Sequence, residues 1–401
     1  MRAASGGPVR PALLLIFILL VAANLRAVLA AVGPVLPDIA SDLDLSPTEQ
    51  GILTAVPLAM FALCSPLVHP VAARFGRERT LLGTLLLLGV GVVLRSVPLW
   101  GDVPLWAGTA AIGVAVAAAN VLLPVLVRGG FDERGAVVSG QYVAVQIVVA
   151  ATASMLVVPL MVMTGSWRLA VAVWGVLVLA ALCAWRPRLI RPTGFGADGE
   201  WLPEPSVRVW RSPLAWQVAG YFGLQSACFY VLMYWLPSVE QDMGVGAATA
   251  GAHLAVLLVT GVAATLVVPP LLANRRDHRL VAAAAPVILL VAISGLAVAP
   301  SLAVVWAGIA GFALSASLVI SLALINDRTS RSHVTSRLSS MVQGTAYTGV
   351  VLLLIAAGLV REFVGPGSHV LGLVALASVA TILLAPWVGR DRTLDAAVTR
   401  S

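Results

Sequence analysis

The sequence predicts an all-α integral membrane protein, with twelve transmembrane helices arranged as two six-helix pseudo-symmetric bundles. Three observations predict it. The chain is 60% hydrophobic and 11% charged over 401 residues, whereas a soluble domain carries roughly 25% charged residues. Apolar stretches long enough to cross a bilayer, about 20 residues each, recur along its whole length. The second half also echoes the first at a constant offset of 200 residues. Leu36-Pro37 matches Leu236-Pro237, Asp42 matches Asp242, Gly51 Gly251, Pro70 Pro270 and Arg79 Arg279. Trp106-Ala107-Gly108 matches Trp306-Ala307-Gly308, and Arg128 matches Arg328. Parallel repeats of about six helices each are the architecture of a secondary transporter with its site between the halves.

The twelve segments run 12–36, 48–72, 80–100, 103–126, 136–163, 168–186, 212–237, 247–272, 279–299, 301–325, 338–361 and 367–388. Segment 1 follows Arg2 and Arg10 but is read as a span, not a cleaved leader. It extends past residue 30, and its end aligns with segment 7. Residues 1–186 form the first bundle, 187–211 a linker rich in Arg, Pro and Gly, and 212–401 the second bundle with a short polar tail. Trp201 and Trp210 leave open whether the linker holds a short interfacial helix. Prolines inside spans, such as Pro57, Pro66, Pro124, Pro159 and Pro286, are tolerated in membrane helices and serve as bends.

Charge placement sets the orientation. All 25 basic residues are arginine, giving a net charge of +7. Apart from Arg26, Arg95, Arg168 and Arg361, they fall at the N-terminus, in alternate loops or at the C-terminus. The intervening loops hold acids: Asp38, Asp42, Asp44, Glu49, Asp102, Glu240 and Asp242. This is the positive-inside pattern, so both termini are expected in the cytoplasm and the protein in the inner membrane. The charge belongs to membrane topology and not to nucleic-acid binding. Cys64, Cys183 and Cys228 lie inside apolar segments without metal-ligand spacing and read as small core hydrophobes. No metal, cofactor or catalytic residue is expected. A membrane enzyme would need a catalytic cluster that the spans lack.

Arg26 lies near the middle of segment 1, just after Asn24. An arginine there costs about 2.5–3.5 kcal/mol on insertion scales and should face a polar cavity or a partner. The acids all sit in loops, tails or helix ends, so a substrate anion is a natural counter-ion for its planar fork. The alternative is a structural arginine held by carbonyls and amides. Arg95, in the outer half of segment 3, is expected to snorkel outward or pair with Asp102.

Tyr142 and Gln146 in segment 5 are spaced i, i+4, and so are Gln343 and Tyr347 in segment 11. At an offset of 201 the pairs correspond, with amide and phenol exchanged. Both are expected to line a central cavity, with Gln141 beside the first. In segment 7, Gln225, Phe229 and Met233 form one stripe and Ser226, Tyr230 and Tyr234 the next. Tyr234 and Trp235 also suit an interfacial belt. Asn120, Ser315 and Ser317 are weaker candidates for the lining. His253 is a candidate carrier of a coupling proton, since no buried carboxylate is evident.

The stretch His69-Pro-Val-Ala-Ala-Arg74-Phe-Gly76-Arg77-Glu78-Arg79 resembles the loop between helices 2 and 3 of the major facilitator superfamily, Gly-x-x-x-Asp-Arg-x-Gly-Arg-Arg/Lys. Arg74, Gly76 and Arg77 match, while His69 and Ala73 replace the Gly and the Asp. The resemblance implies that Arg74, Gly76, Arg77 and Arg79 latch helices on the cytoplasmic side. Finer features are similar to the cyanate permease/2-nitroimidazole transporter branch. These are Asn24-Leu25-Arg26, Leu53-Thr54-Ala55-Val56-Pro57, Arg95 ending helix 3, Trp167-Arg168, Phe222-Gly223-Leu224-Gln225-Ser226 and Leu338 to Gln343. The resemblance implies a monomeric transporter working by alternating access on a small anion or nitro-aromatic compound. The pocket would be Arg26, Asn24, Asn120, Tyr142, Gln146, Gln225, Tyr230, Gln343 and Tyr347. Efflux of neutral, drug-like compounds around a structural Arg26 is the alternative.

Overall fold

The computed structural model describes residues 11–98, 101–131, 135–184, 209–273, 277–329, 332–392 and 394. Most of the linker and the N-terminal tail, with the interfacial-helix expectation at Trp201, lies outside them. Every element among the described residues is helical. The first six segments are α1 (Pro11–Ala30) with α2 (Leu36–Asp42), α3 (Pro47–Phe75), α4 (Arg77–Ser96), α5 (Val103–Gly130), α6 (Gly135–Thr164), and α7 (Trp167–Ala172) with α8 (Gly175–Ala184). The last six are α9 (Pro213–Asp242), α10 (Ala247–Leu272), α11 (Arg279–Val298), α12 (Ala303–Asp327), α13 (Ser332–Phe363) and α14 (Ser368–Val388). Eleven segments are long and apolar enough to span a membrane. The twelfth, α9, has the length at 30 residues but carries the polar stripe of segment 7.

Packing repeats between the two sets. α1 packs on α6 as α9 does on α13, α3 on α5 as α10 on α12, and α4 on α5 as α11 on α12. The sets meet through α3 against α13 and α6 against α10. The matched acids have one role in both. Asp42 pairs with Arg168 and accepts from Trp167 Nε1 at 3.1 Å, and Asp242 pairs with Arg361 at 2.8 Å. These pairs account for two of the arginines that depart from the loop pattern.

Segment 1 runs further than expected and is broken. After α1 a 3-10 turn, Gly33–Val35, leads into α2, so Asp38 and Asp42 are helical and not in a loop. Pro34 has no N–H to continue the ladder. Gly33 lets the turn touch α9, since a Cβ there would lie 2.6 Å from the Met233 carbonyl oxygen. Segment 6 is likewise split between α7 and α8. Cys228 is buried as expected, but Cys183 is exposed on the helix surface.

α3 begins with a capping box, in which Glu49 N donates to Ser46 Oγ and Ser46 N donates to Glu49 Oε2, with Pro47 in the first turn. It ends at Gly76, whose φ of 84° also opens α4. With ψ at 145° this is backbone that essentially only glycine adopts, so Gly76→Ala should destabilise the protein by about 1–3 kcal/mol, seen as a lower thermal midpoint in detergent.

Candidate functional site

A cavity of about 230 Å³ lies between the two sets of helices. Arg26 enters from α1, Gln146 from α6, Gln225 and Tyr230 from α9, and Tyr347 from α13. α10 and α12 close it with Leu258, Leu314 and Ser315. The Arg26 guanidinium lies 5.6 Å from the Phe229 ring centroid, a cation–π distance. Among the described residues it makes no hydrogen bond or ion pair. Its charge therefore faces a space bounded by aromatic rings, two amides and hydroxyls. Phe61 of α3 stacks tilted on Tyr347, with ring centroids 4.5 Å apart.

Other expected site residues stand elsewhere. Asn24 is fully buried and donates from Nδ2 to Leu20 O and, at 3.0 Å, to Leu177 O, which turns it toward α8. Asn120 donates to Val116 O of its own helix and is not among the lining residues. Each mirrored pair contributes one member, Gln146 and Tyr347. Tyr142 and Gln343 lie one turn away, and Gln343 is exposed and bonded to Ser339 Oγ. Ser317 is buried and is not among the residues lining the cavity. The apolar wall of Leu258, Leu314 and Leu318 had no signal in sequence, because leucines in a span are indistinguishable by pattern.

Two expectations about charge are corrected. Arg95 neither snorkels nor meets Asp102. It is 3% exposed, donates from Nη1 to Val28 O at 2.9 Å, and lines a second, small cavity with Tyr234. Asp102 instead accepts from Trp106 Nε1. The packing of α4 on α5 and α8 covers the route outward. A buried carboxylate also exists. Glu240 lies within the last turn of α9 and is 0% exposed, with Oε2 2.8 Å from His253 Nδ1 and Oε1 without a partner. It was placed in a loop because α9 extends five residues past its apolar run, to Asp242. Tyr234 and Trp235 are 1% and 0% exposed, so they form core and not an interfacial belt.

Close approaches between the two sets cluster at the acid-rich end. A Cβ on Gly51 would meet Leu354 O at 2.7 Å, and one on Gly251 would meet Ser154 O at 2.5 Å. Glu362 Oε2 accepts from Thr48 N at the start of α3. The cavity instead reaches toward the arginine-rich end, past Val143 on α6 and Thr265 on α10. There Arg74 is exposed and stacks on Phe75, and Arg79 is exposed. Arg77 opens α4, and its side chain lies outside the described residues.

The Major Facilitator Superfamily model matches residues 14–309. The chain belongs to the major facilitator superfamily. It is 34% identical over 377 residues to the 2-nitroimidazole transporter of Escherichia coli K12, covering 94% of this chain and 95% of the relative. It is 27% identical over 357 residues to the cyanate transport protein CynX of the same organism, covering 88% and 89%. Among solved structures, the nucleoside transporter NupG (D323A mutant) superposes with a TM-score of 0.75 at 14% identity, over 94% of this chain and 99% of that one. The protein is thus a multi-pass membrane transporter of small molecules in the branch of the nitroimidazole and cyanate transporters.

Proposed function

We propose that this superfamily member moves a small anion, cyanate- or carboxylate-like, or a nitro-aromatic compound across the inner membrane by alternating access, with Arg26 as the substrate anchor. The observation that carries this is the Arg26 guanidinium, open to the cavity and without a carboxylate partner among the described residues. A bidentate oxyanion or nitro group fits its fork. Phe229, Tyr230 and Tyr347 offer faces for a flat ring. The test is flux in proteoliposomes for cyanate, small carboxylates and 2-nitroimidazole. Equal transport of a neutral solute by wild type and Arg26→Ala would favour efflux around a structural arginine.

The arginine-rich end is assigned to the cytoplasm by the positive-inside rule, with both termini there. The two six-helix bundles, 1–186 and 212–401, are the moving bodies, joined by the 187–211 linker. The present conformation is then inward-facing, because the seal is at the acid-rich end and the cavity extends the other way. The arginines at 74, 77 and 79, with Gly76, would latch the cytoplasmic side in the opposite conformation. Transport as a monomer is the reading supported by a cavity lined from one chain.

A coupling proton is proposed for the Glu240–His253 pair. The pair sits where α9 and α10 meet the Gly33–Val35 turn, a junction that must open when the halves part. Glu240→Gln should abolish accumulation driven by a pH gradient while leaving substrate exchange without a gradient within about threefold of wild type. Unchanged accumulation would assign the proton to the substrate itself.

A further inference from the structure

Arg95 is a second guanidinium buried without a carboxylate among the described residues. Nη1 is satisfied by Val28 O, but Nε and Nη2 have no partner. Tyr234, brought from the other half by α9, has a buried hydroxyl that is also without a partner. Both side chains line one space of about 10 Å³, together with Thr54 and Thr109 and apolar neighbours such as Leu29 and Pro57. The unmet groups on Arg95 are all donors and carry a positive charge, and the Tyr234 hydroxyl adds a donor. A buried charge of this kind costs several kcal/mol unless a counter-charge joins it. A space of this size holds about one water, and a water leaves the charge unneutralised.

The position relative to Arg26 is informative. Val28, which receives Arg95, is two residues beyond Arg26 on α1, about 3 Å further toward the acid-rich end. Tyr234 lines the Arg95 space, and Tyr230, one turn earlier on α9, lines the Arg26 cavity. Tyr234 also borders the seal, since Gly33 packs on its backbone. Separation of the halves at this end would carry Tyr234 away from Arg95 and enlarge the space between them.

We propose that Arg95 and Tyr234 form a second anion subsite, collapsed here, that opens to the acid-rich side and passes a small monovalent oxyanion or pseudohalide inward to Arg26. An anion on Arg95 holds that side open, and its departure to Arg26 lets Tyr234 close over the emptied guanidinium. The inference rests on the anion reading of the Arg26 cavity.

The test uses the full chain and cyanate. In proteoliposomes with the acid-rich face outward, Arg95→Gln and Tyr234→Phe should each raise the KM for entry at least about tenfold, the loss expected for a charge-assisted hydrogen bond. KM from the arginine-rich side should stay within about twofold. In detergent, Arg26→Ala should keep a saturable cyanate-dependent rise in thermal midpoint that the Arg26→Ala/Arg95→Gln double variant loses. If Arg26→Ala alone removes all of the rise, or if Arg95→Gln and Tyr234→Phe leave both KM values unchanged, the cavity holds only water and the second subsite is overturned while the anion reading stands. If wild type neither binds nor moves cyanate, thiocyanate, nitrate or formate, the anion reading fails and takes the subsite with it. Tyr234→Phe keeps the ring and its packing, so its effect on KM is separable from misfolding.

Discussion

Arg26→Ala should reduce kcat/KM for an anionic substrate by at least about 100-fold, the cost of losing a bidentate charge-assisted pair of about 3 kcal/mol in a site screened from water. The side chain reaches the cavity from the middle of α1 and touches Phe229 without forming an ion pair. No internal partner is left unsatisfied when it is removed, so the protein should fold and reach the membrane in normal amounts. Arg26→Lys should recover only part of the activity, since an ammonium restores the charge but not the planar fork. Uptake kinetics and equilibrium binding on the purified protein separate the outcomes. A large loss in both identifies the anchor, whereas poor expression with normal specific activity would identify a scaffold residue.

Gly51→Val should stop turnover and weaken binding from the arginine-rich side, while leaving binding from the acid-rich side nearly intact. Gly51 lies on the face of α3 that meets α13, where a Cβ would stand 2.7 Å from Leu354 O and 3.2 Å from Gly358 Cα. Both neighbours are backbone and cannot yield by changing rotamer. Packed interfaces respond to such overlap by separating, not by deforming smoothly. The clash exists only when the acid-rich end is shut, so the substitution biases the protein toward the opposite conformation. A bias of about 3 kcal/mol depletes the closed state more than 100-fold. Cysteine accessibility near Thr48, measured from the acid-rich side, should rise in the variant. Normal transport by Gly51→Val would show that this seal does not form part of the cycle.

The one-dimensional pattern was enough for the architecture. Hydrophobic length, the 200-residue echo and alternating charge belong to each segment separately, so span number, repeat and a deep Arg26 need no knowledge of neighbours. The echo even marked Asp42 and Asp242, each of which pairs with an arginine at the acid-rich end. Depth along a helix is legible in this way, but azimuth is not. Asn24 and Arg26 are close in sequence, yet two residues are about 200° apart around a helix. When packing turns Arg26 to the cavity, Asn24 must face α8. Likewise, Tyr142 and Gln146 are one turn apart, about 6 Å along the axis, yet only Gln146 lines the cavity.

Residues near helix ends were misread for a related reason. Arg95 and Glu240 stand where a lone helix would offer them water, and only the neighbouring helices remove it. α1 supplies the Val28 carbonyl to Arg95, and α10 supplies His253 to Glu240. Burial of a charged group is a property of what packs over it. The sequence by itself determined the spans, their repeat and the presence of an uncompensated arginine at mid-depth. Only the tertiary structure decided which polar side chains converge, which charges are sealed from water, and which end of the molecule is shut, because each depends on contacts between residues far apart in the chain.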